Sequence, residues 1–467
     1  MHCGTTTAGP GPLRSRLIGC AAWMLALQPL VWPAAACAQF GGGMGGFGFG
    51  AVGGISIDAD GIVRNLDPQA TTALAEERRR VLRSATEAPG KPAELRKVSL
   101  ARLTAAVGEA TAAKRPLPPD IVFLGGLERI THVFVDPEGH DIILAGPADV
   151  AAVDAGGAVV GGASGRPLLH LEDLIVALRT IDAARAGGIK CSIDPTADGI
   201  TRLRTFLGRQ KTIGPNPDAT LVSMQEALGP QQVTVGGVPG DSRFARVLVA
   251  ADYRLKRLGM GLEPSAVPEL PSYLSLVPAG SASAATLPRF WLEADYDPIA
   301  RDADELAWRI SGRRMKCLTE NDAFDVDGRR QGKAATDAVA DRWCQLMTTH
   351  YDRVAAKQPV FAELVNCVDL AVVAALIRGR QLDARAGLDL APLLDDAKLQ
   401  LPSYDVPSSV PTVAHGVKKG NRWVVSASGG VLFQPWSFAT NTSTVTDVAD
   451  ARSTALAARH ATAWWWD

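Results

Sequence analysis

Gly240-Asp241-Ser242 follows a short extended run, and one large class of secreted hydrolases carries its nucleophilic serine in such a segment. A serine hydroxyl attacks only when a base takes its proton, commonly a histidine oriented by an acid. None of the seven histidines has an aspartate three residues before it, and no G-x-S-x-G elbow is present. Ser242, or Asp241 beside it, is therefore expected to cap the helix that follows. Cys191 with His170 is a second conceivable nucleophile pair, since a thiolate needs a basic or positive neighbour. Sequence alone does not bring the two together. His132, His140 and Asp136 surround an expected hairpin, but they lack the close ligand spacing of a zinc site. Glu293, Asp295 and Asp297 alternate near an expected strand, so some share a face and could form a two-carboxylate site. Arg254, Lys256 and Arg257 read as a solvated polar helix face or an anionic-glycan contact. Gly125-Gly126 and Gly236-Gly237 with Gly240 make neither a dinucleotide fingerprint nor a phosphate loop. Trp423, Trp436 and Trp464 to Trp466 could stack on sugars, although core packing uses the same residues. No catalytic, cofactor-binding or metal-ligating set emerges, and no cofactor is expected.

The leader says more about place than these groups say about chemistry. Arg14 and Arg16 precede an apolar run from Leu17 to Ala38, which contains Pro29 and Pro33 and ends in Ala36-Cys37-Ala38. A charged start, an apolar stretch and small residues at the cleavage positions have the order of a secretory signal peptide. The mature chain is then expected to begin near Gln39, with no membrane span after cleavage. An uncleaved anchor, a lipidated Cys37 and a buried N-terminal helix are the rival readings. The full chain of 467 residues has 48 Lys plus Arg against 49 Asp plus Glu, and losing Arg14 and Arg16 moves the formal charge from −1 to −3. That near-neutrality gives no electrostatic reason to expect nucleic acid as a partner. At 47% apolar residues the chain can form substantial cores. Export permits disulfides. The four cysteines past the leader, Cys191, Cys317, Cys344 and Cys367, allow buried thiols or one or two disulfides among three complete pairings.

The elements that would position these groups follow from periodicity. A glycine-rich linker, 39–54, leads into a hairpin around the Asp58–Gly61 turn. Helices are expected over 68–83 and 93–107, strands at 121–124, 131–135 and 142–144, and a loop over 154–167. Asp136-Pro137-Glu138-Gly139 has turn chemistry, with glycine able to take a positive φ. Leu171, Leu174, Ile175, Leu178 and Ile181 mark an amphipathic helix. Strands at 189–193, 232–235, 290–292 and 315–318 surround a helix beginning after Ser242. Two helices near 336–357 and 360–378 should share a core, Pro359 opening the second. This irregular alternation predicts an α+β fold of mixed short strands with several packed amphipathic helices. The expected organisation is a signal peptide at 1–38, the linker, an N-terminal α+β region at 55–160, a central α+β domain at 161–385 and a C-terminal extension at 386–467.

GGISIDADGIVRNL at 53–66, VFVDPEGHDIILAGP at 133–147, GGIKCSIDPTADGI at 187–200 and VTVGGVPGDSRFARVLVAADYRLKRLGMGLEP at 233–264 resemble an uncharacterised domain family. RFWLEADYDPIA, RRMKCLTE and FAELVNCVDLAVVAALI fit the same pattern, extending the resemblance over roughly 50–380. That family is found largely in exported planctomycete proteins. It implies export and an unassigned role, and it carries over no catalytic residue.

The leading functional expectation is a non-enzymatic exported structural or interaction protein of the cell envelope or extracellular space, with an envelope protein or glycan as partner. An envelope-polymer or carbohydrate hydrolase with an acidic site is one alternative. A secreted small-ligand binding module is the other.

Overall fold

The computed structural model describes residues 51–84, 91–209, 217–278, 289–319, 338–414, 427–459 and 463–467. The expected leader, the linker before Ala51 and Trp423 lie outside the described residues.

Two sheets organise the fold. One has seven strands in the order Thr442–Thr444, Ile299–Arg301, Ala307–Arg309, His132–Asp136, Asp141–Ala148, Ala93–Ser99 and Trp465–Trp466. The other has six: Arg314–Thr319, Arg289–Asp295, Ser428–Phe433, Ile189–Pro195, Gln231–Gly236 and Ser409–Val410. Most neighbours are antiparallel; Arg289–Asp295 with Ser428–Phe433 and Ile299–Arg301 with Thr442–Thr444 are parallel. Strands from residues past 386 enter both sheets, and Ser428–Phe433 lies between two strands of earlier sequence. The architecture is α+β, with helices packed on sheets that are mainly antiparallel.

The His132–Ala148 hairpin shows how the pattern builds the core. Val133 is opposite Leu144 and Phe134 opposite Ile143, and successive side chains leave a strand on opposite faces. Val133, Val135, Ile142 and Leu144 join the main core. Phe134, Ile143 and Ala145 enter a smaller one with Val448, Ala455 and Trp466. The C-terminal tail thus covers the second face of this sheet.

Pro359–Gly379 is the central helix. The helix has 21 residues, and an 18-residue stretch of it has a mean hydropathy of 2.2, which would suit a membrane span, but 94% of that stretch is buried inside the protein. An apolar surface all round is what a core helix needs. The spacing predicts this helix near 360–378, and it runs one residue further at each end. The proline occupies its first turn, where a missing N–H costs nothing. Ala338–Lys357 precedes it across Gln358. Trp343 and Met347 lie in one core with Leu364, Val365 and Val368, and Leu346 packs against it, as the spacing predicts.

Three expectations fail locally. The helix expected from Ala93 is a strand, Ala93–Ser99, followed by the helix Leu100–Ala112. Sheet pairing overrides propensity there: Arg96 is fully buried, donating to the Gly125 carbonyl at 2.6 Å and to Asp467 at 2.7 Å. The strand expected at 121–124 is a helical turn, Pro119–Val122, running into Leu124–Gly126. Pro119 starts that turn, and positive φ values at Leu124, Gly125 and Gly126 end any extended run. Residues 154–167 are not all loop, because Ala151–Val153 pairs with Val159–Gly161. In the 136–140 turn the positive φ falls on His140, at 50°, rather than on Gly139. Gly139 is needed there for space, since a Cβ would overlap the Asp136 carboxylate.

Candidate functional site

A cavity of about 370 Å³ opens where several distant stretches of chain meet. The segment 51–54 forms one wall, the helix Pro68–Ser84 another, and the Lys357–Val360 junction a third. His170 and Arg243 lie at its base, both nearly buried.

Arg243 is placed by the cap before it. The Ser242 hydroxyl accepts from the Ala245 N–H at 3.1 Å and donates to the Pro239 carbonyl at 2.6 Å, fixing the start of Arg243–Gly259. The Arg243 guanidinium then meets three buried carboxylates. It binds Asp173 directly, reaches Glu363 Oε2 at 2.8 Å, and lies 3.9 Å from Glu172 Oε1. Burial opposes its charge, but the carboxylates of Asp173, Glu363 and Glu172 outweigh burial and push its pKa up. Glu172 is pushed up to about 7 by burial and by the negative Asp173 next to it, against the pull of Arg243. The Tyr404 hydroxyl donates to Glu172 at 3.0 Å. Asp173 is raised by burial too, with Arg243 opposing and Glu363 adding to the rise.

His170 precedes the helix Leu171–Thr180 that carries the two acids. Burial, and then the charges of Arg243 and Arg78, hold it well below the usual imidazole range, so its ring is neutral at neutral pH. Its Nδ1 is 3.8 Å from Glu172 Oε1, too far for a hydrogen bond, and has no other partner among the described residues. Among the described residues Gln358 Oε1 is likewise buried without a partner.

Two arginines hold the rim. Arg78 donates to the carbonyls of Gly157 at 2.6 Å and Ala51 at 3.2 Å. Arg254 donates to Gly54 at 3.0 Å and Gly53 at 3.3 Å while pairing with Glu263. Gly53 and Gly54 have φ of 59° and 71°, and a Cβ on Gly53 would overlap Val360 and Ala250. The last residues of the expected linker are therefore a wall of the cavity.

The residues singled out from sequence lie elsewhere, apart from His170 and Arg254. Ser242 is the predicted cap, its hydroxyl engaged on both sides. Cys191 is in a sheet strand, its thiol pushed up by burial and by nearby Asp252, and no contact joins it to His170. His132 pairs with Ala145 at the far end of the hairpin from His140, whose Nδ1 is 3.3 Å from the Ala386 carbonyl. Asp136 pairs with Arg459. Among the described residues no three His, Cys, Asp or Glu are grouped to hold a metal ion. Glu293 and Asp295 do share a strand face, where Lys316 lies 3.1 Å and 3.8 Å from them; Asp297 meets Ser311. The basic trio is not a uniform solvated face: Lys256 is buried on Asp252 at 2.6 Å, while Arg254 and Arg257 share Glu263. Trp436 donates to the Ile181 carbonyl, Trp465 lies 4.4 Å from the Arg96 guanidinium, and Trp466 is buried.

Sequence reasoning missed Arg243, Glu172, Asp173, Glu363 and Tyr404. A signal existed, because Glu172-Asp173 and Glu363 interrupt otherwise apolar helical runs, where an acid must find a buried partner.

No curated protein and no solved structure matches the chain. Over residues 191–273, which hold Arg243, Arg254 and Glu263, it is similar to a family model described as protein of unknown function, DUF1598.

Proposed function

We propose that the chain is a non-enzymatic exported interaction protein, of the cell envelope or extracellular space, that holds a small amphiphilic molecule in the Arg243 cavity. The observation that carries this reading is the cavity itself, about 370 Å³, with His170 and Gln358 in its lining; among the described residues the buried His170 Nδ1 and Gln358 Oε1 have no hydrogen-bond partner. Ligand pockets combine apolar walls with a few placed polar groups. Here Val52, Leu66, Leu74, Val159 and Val360 supply the walls. Arg243 is committed to Glu363, Arg254 to Glu263 and to backbone carbonyls, and Arg78 to backbone carbonyls, and His170 is a weak base. Such a site has means to hold a molecule and no activated nucleophile. Export is supported by Arg14, Arg16 and the Leu17–Ala38 run ending in Ala36-Cys37-Ala38; a mature protein retaining Met1 would overturn it.

The binding reading is tested with anilinonaphthalene sulfonate as the probe and a fragment library as competitor. The purified protein should bind the dye saturably and lose it to fragments. Leu74→Trp, which fills the cavity from the Pro68–Ser84 helix, should abolish saturable binding while circular dichroism is unchanged. Equal binding by the folded variant would sink the proposal.

A further inference from the structure

We infer that Cys317 and Cys344 are the redox-active pair of this protein and close a disulfide in an oxidising compartment, while Cys191 and Cys367 remain thiols. Cys317 is on the edge strand Arg314–Thr319 and Cys344 on the helix Ala338–Lys357, 27 positions apart, with their sulfurs 3.3 Å from each other. A disulfide bond of about 2.05 Å asks each sulfur to move by roughly 0.6 Å. The backbone is already fixed on both sides of the pair. Cys317 N–H donates to Thr348 Oγ1 at 2.8 Å, one helical turn after Cys344, and Thr319 Oγ1 donates to Asp341 at 3.1 Å, one turn before it. Cys317 and Cys344, only 4% and 3% exposed, line a surface cleft of about 330 Å³ together with Lys316, Gln345 and Thr349, and that cleft is the side from which an oxidant approaches.

The other two cysteines have no such geometry. Cys191 and Cys367 are fully buried on different elements, and burial pushes both thiols well up, away from the reactive thiolate. The oxidant is a disulfide donor, either glutathione disulfide or an oxidised dithiol protein. One thiolate attacks the donor's sulfur, and the mixed disulfide is resolved by the second cysteine. An S–S bond forms between Cys317 and Cys344, the donor's S–S bond breaks, two electrons pass to the donor, and both thiol protons end on its sulfurs.

The test incubates the folded full chain with glutathione disulfide, alkylates it, and maps the peptides without reduction. The expected product links Cys317 to Cys344, with Cys191 and Cys367 alkylated only after unfolding. Dithiothreitol should lower the Tm of the oxidised protein, and Cys317→Ser, folded by circular dichroism, should show no such dependence. Two alkylated thiols at 317 and 344 after oxidation, a link to any other cysteine, or the same reductant sensitivity in Cys317→Ser would each overturn the inference.

Discussion

Replacing Arg243 by Met keeps much of the side chain's apolar stem and removes the charge that three buried carboxylates share. Breaking a buried ion pair from one side costs about 3–5 kcal/mol, because the remaining charges lose their compensation. That cost depends on the carboxylates being ionised, so it should depend on pH in a defined direction. Glu172 is already pushed up to about 7 with Arg243 in place. A carboxyl whose folded pKa is raised binds its proton more tightly in the folded state than in the unfolded one. Its contribution therefore improves as pH falls through the folded value, and the improvement is complete below the unfolded one. Arg243 lowers the pKa of both Glu172 and Asp173, so its loss raises both further and moves the window upward. Each added unit is worth about 1.4 kcal/mol; two units across the pair would return roughly 3 kcal/mol on acidification. Urea unfolding of both proteins at about pH 8 and about pH 5.5 should show a large deficit at the higher pH and a smaller one at the lower. A deficit below about 1 kcal/mol at the higher pH, or one that does not shrink on acidification, would refute the assignment of Arg243 as the counter-charge.

Trp343→Ala should destabilise by about 3–5 kcal/mol in urea unfolding, since the ring is fully buried, packs 4.4 Å from Phe290 and donates to the Pro271 carbonyl; a loss under about 1 kcal/mol would contradict that packing. Ser242→Ala should cost about 1 kcal/mol through the lost cap, measured by the shift in urea midpoint. A much larger effect would point to a role for the hydroxyl beyond the cap.

The central packing was legible because its signal is local. The spacing of Trp343, Met347, Leu364 and Val368, with Pro359 between the helices, fixes which faces meet. The hairpin at 132–148 was legible for the same reason, although its two-faced burial was not, since the residues covering its second face come from Val448 to Trp466. Ala93–Ser99 was misread because its periodic apolar positions fit a helix, while its strand state depends on pairing with Asp141–Ala148 and with Trp465–Trp466. Pairings across hundreds of residues leave no trace in a short window.

The cavity was hidden for a different reason. Searching for chemistry by motif favours reactive residue types at set spacing, and it led to Ser242 rather than to Arg243 one position later. What distinguishes Arg243 is that its partners, Asp173 and Glu363, come from two helices that otherwise read as apolar. An acid on an apolar helix face is costly unless paired, so its presence announces a buried cation somewhere in the chain. The partner's identity needs the fold: of 48 Lys and Arg side chains, only tertiary packing selects Arg243. Asp369, on the same face-rich helix, obeys the same logic with Arg314 at 2.8 Å and Tyr296 at 2.6 Å. The difference between the two clusters lies in their surroundings, because Arg243 with His170 borders open volume. Charge in an apolar run thus points to a buried network, and only an adjoining cavity turns such a network into a candidate site.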